Sequence, residues 1–364
     1  MSRNLNQTFS SFFSNNTFIP KSFISYFVFF ISLKLIVVAI MAILLPLYFD
    51  RSIFKMMDFY NYILKDEFLG PNLLYRYFLI TFEIQHISDY FPIFLAIVLN
   101  TIIDIAWIRV LFKLFQTKIG LWVFLILFAL HPYLSIYFMQ FSTILFMKIG
   151  IFLFYCRINY FSNYSIKYEI LFSILILILC LFRNQLVFVA VPFYLIHSFK
   201  LKKIYPLFSS LMIASIVYFS SGNYLDLVSN SIAKYSWNIE YIQRLSNYEN
   251  IFILFLILLI SKIFILFGSR EKVFVEGIEP FFGTIVGEFQ IICFVLLALF
   301  HLFGFAWFLK SFNSQKKLYS LSLVIPLFIS VFSIAHMRYL IPYIPLCICG
   351  FILLSEKFLI IIKQ

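Results

Sequence analysis

The sequence predicts an all-α, polytopic membrane protein, and three observations support this fold class. Hydrophobic residues make up 63% of the 364 residues and charged residues only 12%, with a mean hydropathy of +0.98; soluble domains are about 45–50% apolar and about 25% charged. Apolar runs such as 25–48, 91–115 and 288–309 reach the roughly 20 residues that a helix needs to cross a bilayer. Few glycines (10) and prolines (11) favour long helices over strands and turns. A cytosolic enzyme, a disordered scaffold and a nucleic-acid-binding protein are excluded.

The charge balance indicates how the chain is oriented. The net charge is +12, and we interpret the Lys and Arg side chains as loop anchors that face the cytoplasm and its anionic lipid. Arg3 and Lys21 precede the first apolar run, which predicts a cytoplasmic N-terminus in a bacterial inner membrane. All five cysteines lie in or beside apolar runs, so a disulfide framework is not expected.

The elements of the N-terminal half follow from run length and spacing, within a single membrane domain over residues 1–364. A first helix is predicted over about 24–48. The outer loop 49–90 has apolar positions at helical spacing among charges, interrupted by Gly-Pro at 70–71, which predicts two amphipathic helices on the membrane surface. A second crossing over 91–115 returns to the cytoplasm.

The middle of the chain predicts paired helices. Runs 119–138 and 141–156 are expected to form a tight pair of crossings. The apolar stretch 169–199 is interrupted by Arg-Asn-Gln at 183–185, which predicts a short hairpin with this polar sequence at the outer face. One more helix covers about 205–221.

The C-terminal half leaves the number of crossings open, at about 10–11 for the chain. A polar stretch over 222–250 is predicted as a second outer loop, followed by an apolar run at 251–268 and a helix over 288–309. An even number of crossings is needed between 222 and 288, but only one good helix is visible there. Either the run 251–268 is followed by a second crossing that is only weakly apolar, or one of the earlier predicted hairpins is a single crossing.

Polar residues next to apolar runs are the candidates for chemistry. Asp50 and Asp58 follow the first helix, and a carboxylate at the lipid–water boundary can act as a general base on a sugar hydroxyl; the alternative is a solvated charge. Arg183, His336 and Arg338 lie beside apolar runs on the same inferred face, and the planar fork of Arg suits phosphate oxygens. Here the alternative is an interfacial anchor.

These features resemble the GT-C superfamily of integral-membrane glycosyltransferases, which take a sugar from a polyprenyl-phosphate or polyprenyl-diphosphate carrier outside the cytoplasm. The resemblance rests on the acidic outer loop, the His-Pro-Tyr turn at 131–133, the polar sequence 183–185 and the late Arg-Tyr-x-x-Pro-x-x-Pro at 338–345, and it covers about 20–225 and 318–355. It implies that Asp58 or Asp50 is the catalytic base or helps to bind a metal. It also implies that Arg183, His336 and Arg338 hold the carrier phosphate.

The chain also resembles the polymerases of O-antigen and capsule repeat units, which share its size and a central outer loop with Arg. In this chain that loop is 222–250, where Trp237 and Tyr241 would stack on a sugar ring beside Arg244. Both resemblances imply glycosyl transfer from a lipid-linked sugar to a glycan or lipid acceptor. No metal site is assigned; the cofactor stays open, with a divalent metal as one option.

A third hypothesis comes from another class, a transporter or flippase of polysaccharide precursors. Asp104, Arg109 and Lys148 lie within predicted spans, where charges often serve a substrate or proton path. The alternative for Asp104 and Arg109 is an internal or snorkelling pair. A transporter would require these charges and would tolerate loss of Asp58.

Overall fold

The computed structural model describes residues 21–49, 72–84, 90–138, 141–160, 166–220, 285–332 and 339–363, with short helical pieces between 259 and 267. Its helices are α1 Lys21–Phe49, α2 Leu73–Ile84, α3 Tyr90–Leu111, α4 Lys118–Leu130, α5 Pro132–Ile136, α6 Thr143–Tyr160, α7 Ile166–Phe182, α8 Val187–Leu201, α9 Tyr205–Ser220, α10 Ile285–Ser311, α11 Ser314–Phe332 and α12 Ile344–Lys363. Short 3₁₀ turns cover Phe112–Leu114, Asn184–Leu186 and Ile341–Tyr343. No strand occurs in these ranges, so the predicted all-α class is confirmed there.

Two of these helical segments are long and apolar enough to cross a membrane. They are Phe91–Leu114, which is α3 with its 3₁₀ extension, and Ile341–Phe358, which covers most of α12. Apolar segments of 10–17 described residues are Lys118–Leu130, Tyr205–Ser220, Ile24–Ile40 within the longer α1, and Val295–Ser311 within the longer α10.

The segment predicted as one helix over 119–138 is two helices, so that prediction is wrong in its extent. His131 has an extended backbone (φ −60°, ψ 117°) and ends α4, after which Pro132 begins the short α5. The proline ring disfavours the helical conformation of the residue before it, so the helix stops at this point.

The predicted hairpin at 169–199 is confirmed. Helices α7 and α8 are joined at residues 183–186 and lie antiparallel. Side chains connect them along their length: Ser173 Oγ lies 2.9 Å from Tyr194 Oη, and Glu169 Oε1 lies 3.4 Å from His197 Nε2. The polar sequence 183–185 is therefore at the opposite tip from Glu169.

Basic residues gather at the Glu169 end of the helices, which we call the basic end. Lys316 of α11 donates to the carbonyl of Asn159 at the close of α6 (3.3 Å), and Lys200 of α8 lies over the Tyr319 ring (4.6 Å). The ammonium groups of Lys310 and Lys357 lie 4.9 Å and 5.4 Å from the centre of the Trp307 ring. We call the other end the Arg183 end; its contacts are described below.

Helices α10 and α12 approach each other closely where two glycines meet. A methyl group on Gly304 would strike the carbonyl oxygen of Cys347, and one on Gly350 would strike the carbonyl oxygen of Gly304. Small residues permit such close backbone approach between apolar helices. This crossing fixes α12 and, through it, the Ile341–Tyr343 turn at the Arg183 end.

Candidate functional site

Arg183 lies buried at the tip of the α7–α8 hairpin, with 4% of its surface exposed. Its backbone is extended (φ −145°, ψ 98°), which ends α7 and directs the chain into the 3₁₀ turn. The Nη1 group donates to Thr143 Oγ1 at the start of α6 (2.6 Å), and the guanidinium carbon lies 5.7 Å from the centre of the Tyr339 ring. Three separate parts of the chain therefore meet at this cation.

The positive charge of Arg183 has no acidic partner among the residues that the structure describes. The ion pairs found there are Lys148–Asp104 and Arg157–Glu169. In the same part of the chain, Arg183 Nε has no hydrogen-bond acceptor. A buried charge is costly unless it is paired and hydrogen-bonded, so the open edge of this guanidinium is suited to an anion.

A reciprocal pair of asparagines fixes the start of α2 to the Arg183 turn. The Asn72 backbone N–H donates to Asn184 Oδ1, and the Asn184 backbone N–H donates to Asn72 Oδ1, both at 3.0 Å. Asn72 has φ of 62°, a left-handed conformation that Asn tolerates better than most residues. Tyr75, one turn further on, donates to the carbonyl of Phe141 (2.6 Å). Helix α2 is thus held against the residues that precede α6.

The other predicted site residues lie outside the described residues. These are Asp50, Asp58, Trp237, Tyr241, Arg244, His336 and Arg338. Tyr339 directly follows Arg338 in the sequence and touches Arg183. Arg183 therefore contacts Tyr339, which is the described residue next in sequence to the predicted phosphate-binding residues His336 and Arg338.

A second polar group lies in the interior, between α1, α3 and α6. Asp104 pairs with Lys148 on a neighbouring helix, whereas the alternative interpretation of the sequence paired it with Arg109 on its own helix. Lys148 also donates to Asn100 Oδ1 (3.2 Å). Lys34, fully buried, donates to Ser135 Oγ (3.2 Å). Sequence reasoning gave Lys34 no role, although a lone cation within an apolar helix is itself a signal of a polar interior.

Two histidines form a further buried contact between the end of α4 and α10. His131 Nε2 and His301 Nε2 are 2.9 Å apart, and His301 Nδ1 lies 2.7 Å from the carbonyl oxygen of Phe267. Since a carbonyl only accepts, His301 Nδ1 carries a proton, and in the neutral pair His131 Nε2 donates to His301. The sequence singled out His131 but offered no sign of its partner.

No group of three or more His, Cys, Asp or Glu side chains that could hold a metal occurs in the described ranges. The option of a divalent metal remains a prediction about residues beyond them. The chain matched no protein-family model, no curated protein and no solved structure in the three comparisons. Its function therefore has to be inferred from the geometry of the site.

Proposed function

We propose that the chain is a membrane-embedded glycosyltransferase of bacterial cell-surface polysaccharide synthesis (O-antigen, capsule or lipopolysaccharide). It takes a sugar from a polyprenyl-phosphate or polyprenyl-diphosphate carrier at the outer face of the inner membrane. The observation that carries this proposal is Arg183, a buried guanidinium without a carboxylate partner in the described part of the chain. Its planar fork suits the oxygens of a phosphate.

The distribution of charge supports a polytopic arrangement with the Arg183 end outside. Basic residues at helix ends favour the cytoplasmic side of a membrane, and the basic end carries them. Helix α1 begins near the same end, since Tyr26 packs edge-on against Trp122 of α4 (4.8 Å). This orientation gives a cytoplasmic N-terminus and puts Arg183 on the face where polyprenyl carriers present their sugars.

The chemistry assigned to the site is a displacement at the anomeric carbon. Asp58, or Asp50, accepts the proton of the acceptor hydroxyl, whose oxygen forms the new glycosidic bond. The bond from the anomeric carbon to the carrier oxygen breaks, and the phosphate leaves with the electron pair. Arg183, with His336 and Arg338, stabilises that leaving charge. Trp237, Tyr241 and Arg244 hold the sugar.

Complementation of a deletion strain tests this proposal, with gel electrophoresis of its surface polysaccharide as the readout. The double variant Asp50→Asn/Asp58→Asn and the variant Arg183→Gln should each abolish the product, whereas Lys203→Gln, an exposed change at the basic end, should preserve it. Full product from the double variant would refute the catalytic role. In the deletion strain itself, single repeat units on the lipid core would indicate a repeat-unit polymerase, and loss of one sugar a monosaccharide transferase.

A transporter or flippase of precursors is the second candidate, favoured by the buried Asp104–Lys148 pair with Lys34 nearby. Charges in the interior of a membrane bundle often line a substrate or ion path. This function predicts that neutral variants at Asp104, Arg109 and Lys148 abolish the product while Asp50→Asn/Asp58→Asn does not. The same complementation experiment therefore separates the two functions.

A further inference from the structure

The N-terminus of α6 lies next to Arg183 in a buried setting. Helix α6 runs over 18 residues from Thr143, and residues 141–148 are buried. The first backbone N–H groups of a helix lack the regular helical partner and carry a partial positive charge. At α6 the Leu145 N–H donates to the Ser142 carbonyl (3.1 Å), so the N–H groups of Thr143 and Ile144 are those that face the helix start. Helix α6 has no acidic residue in its first turn.

The side chains at this helix start leave hydrogen-bonding groups open. Ser142 is in the position from which a hydroxyl normally caps the first turn, yet its Oγ makes no hydrogen bond to any described residue, although only 3% of Ser142 is exposed. Arg183 Nη1 donates to Oγ1 of the neighbouring Thr143, so a guanidinium whose Nε–H has no acceptor among the described residues lies beside this helix start. The positive helix end, the open hydroxyl of Ser142 and the Arg183 guanidinium are therefore neighbours.

The start of helix α4 is stabilised by an acidic side chain from another helix. Glu356 of α12 reaches across to it, accepting from the Thr117 backbone N–H (3.1 Å), the Thr117 hydroxyl (2.5 Å) and the Gln116 backbone N–H (3.3 Å). At the start of α6 the described side chain that makes the contact is a cation, Arg183, which donates to the Thr143 hydroxyl. A cation beside a helix N-terminus is electrostatically unfavourable unless an anion lies between them.

We propose that Ser142, Arg183 and the first backbone N–H groups of α6 form a binding site for a phosphate group. The phosphate oxygens would accept from Arg183 Nε, from the Ser142 hydroxyl and from the helix N–H groups. Phosphate binding at helix starts uses this combination of donors and dipole. The identity of the phosphate as that of a polyprenyl carrier rests on the proposed function; the site itself does not.

Binding to the full-length protein in nanodiscs tests the site, with polyprenyl phosphate and inorganic phosphate as separate probes. Ser142→Ala and Arg183→Gln should each weaken binding of polyprenyl phosphate about tenfold or more, because each removes a hydrogen bond to a charged group. Ser320→Ala and Lys203→Gln, at the basic end, are the matched controls and should bind like the wild type. Circular dichroism melting of every variant confirms that it is folded.

The outcomes separate this site from the proposed function. Unchanged binding of polyprenyl phosphate by folded Ser142→Ala and Arg183→Gln would overturn the site. If the wild type bound inorganic phosphate but not polyprenyl phosphate, and both variants lost that binding, the phosphate site would be supported. The inference that the phosphate belongs to a lipid carrier would then be refuted. Weakened binding in the variants together with undiminished surface polysaccharide would support the site and refute the proposed function.

Discussion

Replacement of Gly304 by alanine is expected to destabilise the protein, because the new methyl group has no room at the α10–α12 crossing. It would strike the carbonyl oxygen of Cys347 and lie 2.9 Å from the carbonyl carbon, both of which are backbone atoms of the facing helix. Overpacking of this kind costs about 1–3 kcal/mol, and the upper part of that range applies because a helix backbone cannot rotate away. The gain in helix propensity, about 1 kcal/mol, offsets only part of the loss.

Gly150→Ala is the matched control for this prediction. Its methyl group would lie 2.5 and 2.6 Å from the two terminal carbons of the Leu186 side chain, which can rotate. Leu186 is fully buried and has to shift, so Gly150→Ala should cost some stability, but less than Gly304→Ala because no backbone atom is struck.

The assay is thermal or denaturant unfolding of detergent-solubilised protein, followed by circular dichroism. A net loss of about 1–2 kcal/mol in Gly304→Ala corresponds to a roughly 5- to 30-fold rise in the ratio of unfolded to folded protein. If Gly304→Ala were as stable as the wild type, or if Gly150→Ala were the less stable of the two, the close backbone approach of α10 and α12 would be refuted.

Three further predictions concern buried polar contacts. Glu356→Gln should lower the free energy of unfolding by about 0.5–2 kcal/mol, since it removes the anion at the start of α4; melting of the variant measures this. His131→Asn and His301→Asn should be coupled by about 0.5–1.5 kcal/mol in a double-mutant cycle, and additive effects would contradict the direct bond. Lys148→Met should cost about 3–5 kcal/mol by leaving Asp104 unpaired. Adding Asp104→Asn should recover much of that loss, as measured by denaturant unfolding.

Hydrophobic run length was sufficient to predict the helical class and the hairpin at 169–199. Apolar runs of crossing length have few alternatives to helices in a membrane, and a polar sequence such as 183–185 is costly except at a turn. The error at 119–138 has a local cause that the sequence displays, since Pro132 forces the preceding residue out of the helical conformation. The His-Pro-Tyr turn at 131–133 named with the resemblance coincides with this break, whereas apolar run length extends the helix through it to 138.

Partners of buried polar residues were much harder to predict than helices. Glu356 contacts Thr117 from 239 positions away, and His301 contacts His131 from 170 positions away. Periodicity indicates which side of a helix is buried but carries no information on which helix packs against it. Asp104 was consequently considered with Arg109 on its own helix, whereas its partner Lys148 is on α6.

The pairing of the other buried charges strengthens the case for an anion at Arg183. Arg157 and Lys148 are as deeply buried as Arg183, and each has a carboxylate on a neighbouring helix. For these two cations the chain provides the counter-charge itself, whereas the buried Lys34 donates to the Ser135 hydroxyl beside the Asp104–Lys148 pair. Among the described residues it provides none for Arg183, and it places this cation against the positive start of α6. Since a buried cation is costly without an anion, the missing charge is expected from a ligand, and a phosphate carries the charge and the oxygens that these donors require.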